Sequence, residues 1–238
     1  MVSSAIDQRA PSLASGGTAP MDESDRYGQR ASDLSCRLLD ILGASLALIV
    51  LSPVLGVIAL LIKLDSRGPV LFRQVRLGRD ANPFTVNKFR TMQDGVAHDR
   101  HREFVLDLIE GKQPDQGTPG ANFKMAADQR VTRFGRLLRR SSLDELPQMW
   151  NVLRGEMSLV GPRPPIPYEV EHYPSHWFAR FAVKPGITGL WQVNGRSQVP
   201  LEEMVRLDVE YARRRSFWLN LLIIVKTVPA VLNTRGAW

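Results

Sequence analysis

Two adjacent carboxylates, Asp144 and Glu145, lie in the stretch SSLDELPQMWNVLRG, where the spacing of apolar residues predicts a helix that ends at Gly155. Near the N-terminus of a helix, the helix dipole stabilises an ionised carboxylate. Asp144 in such a position is suited to attack phosphorus, or to bind a divalent cation together with Glu145. Capping is the competing interpretation, and on residue types alone the better one, since Ser142 and Glu145 have the spacing of a capping box. Pro147 is tolerated in a first helical turn, which favours a helix start near Asp144.

Basic side chains in rigid or tightly turned segments are candidates for binding phosphate. The prolines of GPRPP fix the backbone around one arginine, and the glycines of KPGITGLWQVNGR allow tight turns near another. Two more bracket Phe89 on a predicted strand, although basic residues in such positions are more often solvated charges. The four candidates are Lys88, Arg90, Arg163 and Arg196. The sequence contains no Walker loop, zinc-ligand cluster or hydrolase nucleophile elbow.

The charge of the chain indicates an anionic partner. Among 238 residues, 31 Lys and Arg outnumber 24 Asp and Glu, which gives a net charge of +7. Nucleic acid, a phosphorylated substrate and anionic lipid all fit this balance. The single cysteine, Cys36, excludes an intramolecular disulfide and fits a reducing compartment.

An apolar segment without any charged residue runs from Ile41 to Ile62 and follows a polar tail. The tail, residues 1–36, is rich in Ser, Ala, Gly, Pro and Asp, and has too few large apolar side chains to form a core, so we expect it to be disordered. As a helix, the apolar segment would be about 33 Å long at ~1.5 Å per residue, which is enough to cross a bilayer.

A helix break is predicted in the middle of this apolar segment. Pro53 removes a backbone hydrogen bond and Ser52 can bond back to a carbonyl, so both residues favour a kink. Basic residues flank the segment on both sides, and such residues prefer the cytoplasmic side of a membrane. A re-entrant hairpin and a kinked transmembrane span therefore both stay open. Arg37 and Asp40, one turn apart at the helix entrance, are either a side-chain pair or two ordinary interfacial charges.

The remainder of the chain predicts a mixed α+β domain. Residues 68–92 are typical of a β-hairpin, because the turn sequence GRDANP separates two strand-like runs. An apolar helical face follows at Phe134, Leu137 and Leu138. The C-terminal stretch 216–232 is apolar but interrupted, and is either a helix lying in the membrane interface or a buried core helix.

Three blocks of the sequence resemble the signatures of the bacterial sugar transferases, the monotopic phosphoglycosyl transferases that act on polyprenyl phosphate. The blocks are NKFRTM, SSLDELPQMWNVLRGEMSLVGPRP and KPGITGLWQVNGR, in this order and at family-like spacing. The resemblance extends from about Arg37 to the C-terminus, and is closest to the short members that initiate exopolysaccharide synthesis.

For the fold, this resemblance implies a compact, mostly helical α+β catalytic domain over residues 65–238, with a small β-hairpin and amphipathic interfacial helices. The domain would lie on the cytoplasmic face of the bacterial inner membrane. Residues 37–64 would form a re-entrant membrane helix that turns back at Ser52 and Pro53, with the Arg-Asp pair described above at its entrance.

For the chemistry, the resemblance implies that Asp144 attacks the β-phosphorus of a UDP-sugar and releases UMP. The phosphosugar ester left on the enzyme would then be transferred to undecaprenyl phosphate. Glu145 completes the catalytic dyad, and the two carboxylates would bind the Mg²⁺ that the family requires. Lys88, Arg163 and Arg196 fall on family positions that bind phosphate.

A basic membrane-tethered scaffold and a nucleic-acid-binding protein, both without catalysis, are the alternatives. A scaffold does not need the Asp-Glu dyad, and the sequence carries no recognisable motif for reading nucleic acid. We therefore expect UDP-sugar, undecaprenyl phosphate and anionic membrane lipid as partners, and no nucleic acid. The sequence does not name the sugar, and it leaves a homodimer open.

Overall fold

The computed structural model describes residues 23–93, 130–195 and 199–232, with side chains from Ser32 onward. Its helices are α1 (Glu23–Asp65), α2 (Arg133–Ser141), α3 (Gln148–Arg154), α4 (Pro167–Val170), α5 (Leu190–Val193), α6 (Leu201–Arg214) and α7 (Phe217–Leu232). Its strands are β1 (Leu71–Leu77), β2 (Pro83–Phe89), β3 (Ser158–Val160) and β4 (Gly186–Thr188). Short 3-10 segments cover Arg79–Ala81, Leu143–Glu145 and Ser175–Ala182. The fold is a mixture of helix and small sheets, as predicted.

Helix α1 begins before the predicted membrane segment. It starts at Glu23, so residues 23–36, which the sequence analysis assigns to a disordered tail, are helical. The tail was assigned from composition, which does not reveal that Cys36 at its end is fully buried. In the described part of the chain, α1 is the helix long and apolar enough to cross a membrane.

The two ends of α1 both pack on the domain, and its middle does not. At one end Asp40 and Ala44 are buried, and at the other Ile58 and Ile62 are buried. Within residues 45–57, all of which the structure describes, none is buried. Pro53 lies inside this exposed stretch, and the Ser52 hydroxyl donates to the Ile49 carbonyl at 2.8 Å, the backbone bond expected of a serine at a helix bend. The exposed middle is apolar, so water is an unfavourable solvent for it.

The predicted β-hairpin is confirmed. Strands β1 and β2 pair antiparallel, with Leu71 opposite Phe89 and Leu77 opposite Pro83. Asn151 of α3, which is fully buried, holds the hairpin to the helix: its Oδ1 accepts from the Asn87 backbone N–H at 3.1 Å, and its Nδ2 donates to the Thr85 carbonyl at 2.7 Å.

A second, two-stranded parallel sheet lies on the other side of α3. Strands β3 and β4 pair through Ser158 with Gly186 and through Val160 with Thr188. A Cβ on Gly186 would lie 2.0 Å from the Gly161 nitrogen, so the close approach of these backbones requires glycine at position 186.

The C-terminal helix α7 has one buried face and one exposed apolar face. Ile223 and Asn220 are buried, and the Tyr211 hydroxyl of α6 lies 2.7 Å from Asn220 Oδ1. Trp218 and Leu222, in contrast, are among its exposed large apolar side chains. The helix is thus a core element along one face, and its other face retains the apolar surface expected of a helix at a membrane interface.

Asn151→Asp tests the tie between hairpin and helix, because it keeps the shape and the acceptor but replaces the Nδ2 donor by oxygen. That oxygen would face the Thr85 carbonyl and Glu156 Oε2, which now accept from Nδ2 at 2.7 Å each. We expect a loss of about 2–4 kcal/mol in unfolding free energy at neutral pH.

The loss should shrink on acidification. Burial raises the pKa of a carboxyl, so the folded variant keeps its proton over a pH range where the unfolded chain has lost it, and stability falls as pH rises. Thermal unfolding at about pH 5 and about pH 8 measures this difference. Asn82→Asp in the exposed hairpin turn is the matched control; equal unfolding curves for both variants would contradict the role given to Asn151.

Candidate functional site

Asp144 and Glu145 lie on the 3-10 turn Leu143–Glu145, which connects α2 to α3. Ser142 before the turn adopts the left-handed conformation, with φ of 57°, and ends α2. Helix α3 begins at Gln148, so the predicted helix start near Asp144 is wrong. The predicted capping box is wrong too, because the Ser142 side chain makes no capping hydrogen bond within the described chain. Pro147 explains the late start, since it lacks the N–H that a helix interior requires.

The structure pairs the dyad with the predicted basic residue on β2. Lys88 Nζ donates to Glu145 Oε1 at 2.7 Å. The side chains of Lys88 and Glu145 are 28% and 31% exposed, so the pair is partly shielded but open to a ligand. A carboxylate and an ammonium at this distance neutralise each other locally, which lowers the cost of bringing an anion to the adjacent Asp144.

Arg76 of β1 is a second cation at this site. In the hairpin register Arg76 lies opposite Phe84 and on the same face as Lys88. Its guanidinium is buried and donates to Gln74 Oε1 at 2.7 Å and to the Pro164 carbonyl at 3.0 Å. Burial, and after it the charge of Arg163, lowers the pKa of Arg76 to about 10. At neutral pH the group therefore stays charged.

Arg163 is held beside Arg76 by a buried acid. Its Nη1 lies 4.0 Å from Oε2 of Glu169, which is 2% exposed and also accepts from the Ile166 backbone N–H. The Arg163 side chain is 31% exposed, so it is partly accessible to solvent. The charges of Arg163 and Glu145 both act on the Arg76 guanidinium, so the three side chains lie within electrostatic range of one another.

A buried ion pair between Arg180 and Asp208 is hydrogen-bonded to the backbone of the GPRPP segment. Arg180 donates to the Arg163 carbonyl at 2.8 Å and to Asp208 Oδ2 at 2.6 Å. The side chains of Arg180 and Asp208 are 6% and 1% exposed. Burial raises the pKa of Asp208 to about 6, against the opposing effect of the Arg180 charge. The pair is ionised at neutral pH, since the acceptor lies within hydrogen-bond distance of a guanidinium.

The other predicted phosphate-binding residues are placed differently. Arg90 is buried and donates to the Ser66 and Arg67 carbonyls at 2.7 and 2.9 Å, so its guanidinium joins the hairpin to the end of α1. Arg196 lies outside the described residues. Of the four candidates, the structure therefore brings Lys88 and Arg163 to the dyad region.

The entrance residues of α1 bind the domain. Arg37 donates through Nη1 to the Val152 carbonyl at 2.6 Å and through Nη2 to the Leu153 carbonyl at 2.8 Å. These carbonyls lie in the last turn of α3, where the helix dipole favours a cation. Asp40 accepts from the Leu159 backbone N–H at 2.8 Å and from Ser158 Oγ at 2.9 Å. Each residue of the pair thus docks α1 on a different element.

Sequence reasoning missed Arg76, Asn151 and the Arg180–Asp208 pair. One signal was available for Asp208. It lies on the apolar stripe of α6 with Val205 and Tyr211, and an acid on such a stripe needs a buried partner. Arg76 carries no comparable signal, because alternation along a strand does not separate a buried arginine from a solvated one.

The chain matches the family described as bacterial sugar transferase over residues 31–234. It is 38% identical over 215 residues to the UDP-galactose-lipid carrier transferase of Erwinia amylovora, covering 90% of this chain and 44% of that protein. It is 39% identical over 203 residues to the exopolysaccharide production protein ExoY of Rhizobium meliloti, covering 85% and 87% of the two chains.

A third relative is the UDP-glucose:undecaprenyl-phosphate glucose-1-phosphate transferase of Caulobacter vibrioides, 41% identical over 216 residues, with 87% of this chain and 73% of that protein covered. The chain therefore spans less than half the length of the Erwinia protein and most of the length of the other two.

Asp208→Leu should be more disruptive than replacing both members of the buried pair. The single variant leaves Arg180 buried without its anion, which we expect to cost about 3–5 kcal/mol of unfolding free energy. The double variant Arg180→Met with Asp208→Leu removes both charges and should recover part of that loss. Thermal unfolding of the wild type, of Asp208→Leu, of Arg180→Met and of the double variant measures the coupling, and additive losses would show that the pair contributes no mutual stabilisation.

Proposed function

The chain belongs to the bacterial sugar transferase family, and from this premise we propose that it transfers a hexose-1-phosphate from a UDP-sugar to undecaprenyl phosphate, with release of UMP. Relatives named as transferases of UDP-glucose or UDP-galactose to a lipid carrier support this reaction. Such a transfer would initiate an exopolysaccharide or another glycoconjugate, in keeping with the relatives named ExoY.

The observation that carries the proposal is the ion pair between Lys88 and Glu145, next to Asp144 in the chain. Two further cations, Arg76 and Arg163, lie near this pair. A diphosphate substrate is anionic, and the negative carboxylate of Asp144 would repel it. Lys88 offsets the charge of Glu145, and Arg76 and Arg163 give this side of the site a positive potential. The arrangement thus allows one carboxylate to approach an anionic phosphorus.

In the proposed reaction, a carboxylate oxygen of Asp144 attacks the β-phosphorus of the UDP-sugar. The bond from that phosphorus to the bridging oxygen breaks, and UMP leaves with the electron pair. A phosphate oxygen of undecaprenyl phosphate then attacks the same phosphorus and displaces Asp144. The product is a diphosphate-linked sugar, and the aspartate returns to its starting form.

The dyad fits a magnesium ion. Asp144 and Glu145 offer carboxylate oxygens, the ligands that this hard cation prefers, and both side chains are half-buried rather than enclosed. Within residues 23–93, 130–195 and 199–232, no group of three or more His, Cys, Asp or Glu side chains forms a metal cage. Two protein carboxylates with substrate oxygens and water are the usual set for this ion. When bound, Mg²⁺ supplies charge neutralisation of the diphosphate.

Lys88 and Arg163 have separate roles in this proposal. Lys88 holds one oxygen of Glu145 and so fixes the orientation of that carboxylate. Arg163 carries its guanidinium on a backbone that the flanking prolines restrict and whose carbonyl accepts a hydrogen bond from Arg180. It is suited to bind the phosphate oxygens of the substrate.

We propose further that residues 37–64 form a re-entrant membrane helix and that residues 65–238 form a domain on the cytoplasmic face of the inner membrane. Support comes from the two docked ends of α1: Asp40 and Ala44 at one end and Ile58 and Ile62 at the other contact the same domain. A helix whose two ends meet one water-facing domain does not deliver them to opposite sides of a bilayer.

Asp144→Asn tests the nucleophile, because it keeps the size of the side chain and removes the anion. We expect turnover to fall by roughly a thousand-fold or more. Incubation of the wild type with UDP-sugar alone should release one UMP per active site and leave a phosphosugar adduct on Asp144, located by mass spectrometry of trapped enzyme. The variant should form no adduct.

Asp65→Asn, an exposed aspartate at the end of α1, is the control and should keep wild-type activity. Glu145→Gln should also reduce turnover, although it keeps the nucleophile and permits some adduct. An adduct on another residue, or substantial activity of Asp144→Asn, would refute the assigned mechanism without refuting the family.

Replacing both Ser52 and Pro53 by Leu tests the re-entrant helix. The change restores a backbone donor and removes the ring that disfavours a continuous helix, so the N-terminal end should cross the membrane. The measurement is labelling of Arg30→Cys by an impermeant thiol reagent in intact cells and in opened ones. Arg30→Cys should be labelled from the periplasm only when the two leucines are present. Gln93→Cys on the domain is the control and should be labelled only in opened cells. Periplasmic labelling of Arg30→Cys without the leucines would refute the hairpin.

A further inference from the structure

A cavity of about 950 Å³ lies between the hairpin, the α3 helix and the middle of α1. Its described lining does not include Asp144, Glu145, Lys88 or Arg163, although Asn87 and Pro147 bring it next to the elements that carry them. The charged part of the lining is mainly basic, and its cations are Arg73, Arg79, Arg154 and Lys184.

Lys184 is the cation of this lining that is best placed to bind an anion. Among the described residues it forms no ion pair with a carboxylate, and its side chain is half-buried. Burial, and after it the charge of Arg37, lowers the pKa of Lys184. Lys184 Nζ and Arg37 Nη2 each lie 3.5 Å from the point that a Cβ of residue 155 would occupy, so the two cations are at most twice that distance apart. Two cations this close favour an anion between or beside them.

The acids near the cavity are already engaged. Glu156, the acidic residue of the described lining, accepts from Asn151 at 2.7 Å and lies 3.4 Å from Arg154. Asp40 acts on Lys184, but its Oδ1 accepts from Ser158 and Leu159. Among the described residues, no carboxylate therefore forms an ion pair with Lys184 to balance its charge and that of the nearby cations.

Part of the cavity wall is apolar and includes a residue of the proposed membrane helix. Leu48 lines it from the exposed apolar middle of α1, and Trp150, which is 55% exposed, lines it from α3. One part of a ligand bound here would contact the apolar side chains of Leu48 and Trp150, and its other part would contact cations such as Lys184. This combination is that of an anionic phospholipid, with its acyl chains at Leu48 and its phosphate at Lys184.

We propose that this cavity binds the head group of an anionic membrane phospholipid and so fixes the depth of the domain at the bilayer. The proposal goes beyond the sugar transfer and does not depend on it. It rests on the insertion of α1 in the membrane proposed above, because only that insertion brings lipid to Leu48.

The test uses the full chain reconstituted in nanodiscs of phosphatidylcholine with an equal share of phosphatidylglycerol. Native mass spectrometry after release counts the lipids that stay bound and identifies their head groups. We expect the wild type to retain phosphatidylglycerol in preference to phosphatidylcholine. Lys184→Gln and Arg79→Gln should each lower the retained phosphatidylglycerol by roughly five-fold. Arg79 is an exposed residue of the hairpin turn, so its variant keeps the fold even if the variant at Lys184 does not.

Two controls separate the cavity from charge in general. Arg213→Gln removes the same charge from an exposed position of α6 outside the cavity lining, and should leave retention unchanged. Lys184→Arg keeps the charge and should retain the lipid. Flotation with liposomes measures membrane insertion independently, so a protein that inserts but shows no head-group preference refutes the cavity site and not the insertion.

Three outcomes would overturn the proposal: equal retention of phosphatidylcholine, unchanged retention in both the Lys184→Gln and Arg79→Gln variants, or displacement of the lipid by UDP. Displacement by UDP would assign the cavity to the nucleotide, and displacement by inorganic phosphate alone would assign it to a free anion. Failure of any of these assays leaves the UMP-release assay of the proposed reaction unaffected.

Discussion

The site depends on one constraint, that both ends of a single apolar helix dock on the same domain. At the first end, Arg37 donates to the carbonyls of Val152 and Leu153 in the last turn of α3. At the other, Arg90 donates to the carbonyls of Ser66 and Arg67, just past the end of α1. Arg90 follows Lys88 by two positions on the hairpin, and α3 follows the turn that carries Glu145. The two docking contacts therefore hold, from opposite sides, the elements that bring Lys88 to Glu145.

Docking by arginine explains why the basic residues separated into two groups. A guanidinium donates to a carbonyl oxygen as readily as to a phosphate oxygen, and helix ends leave carbonyls unpaired. Arg37 and Arg90 donate to carbonyls at the helix ends, whereas the Arg163 side chain is partly exposed and Lys88 binds a carboxylate. The sequence shows the charges but not the acceptors, because these acceptors belong to backbone that is distant along the chain.

Local pattern therefore predicted the elements better than their contacts. The hairpin followed from turn chemistry between two strand-like runs, and Gly155 ended α3 in the left-handed conformation that glycine favours. The helix start near Asp144 was wrong because a 3-10 turn and an α-helical first turn have similar local sequence, and only the position of Pro147 separates them here. Asn151 and Arg76 were missed because their partners on the hairpin and on the GPRPP segment lie far along the chain.

The same packing connects the dyad to the apolar helix. Leu143, the first residue of the 3-10 turn, packs with Ile58 and Ile62 of α1 in one apolar cluster. The turn that carries Asp144 is thus fixed to the second docked end of α1, close to the stretch that water does not solvate well. In the proposed reaction, Asp144 held there would meet a lipid phosphate at the membrane surface and a nucleotide sugar from water. In the proposed topology the chain would enter and leave the apolar layer at one face, so the proposed re-entrant helix and the proposed two-substrate chemistry require the same geometry.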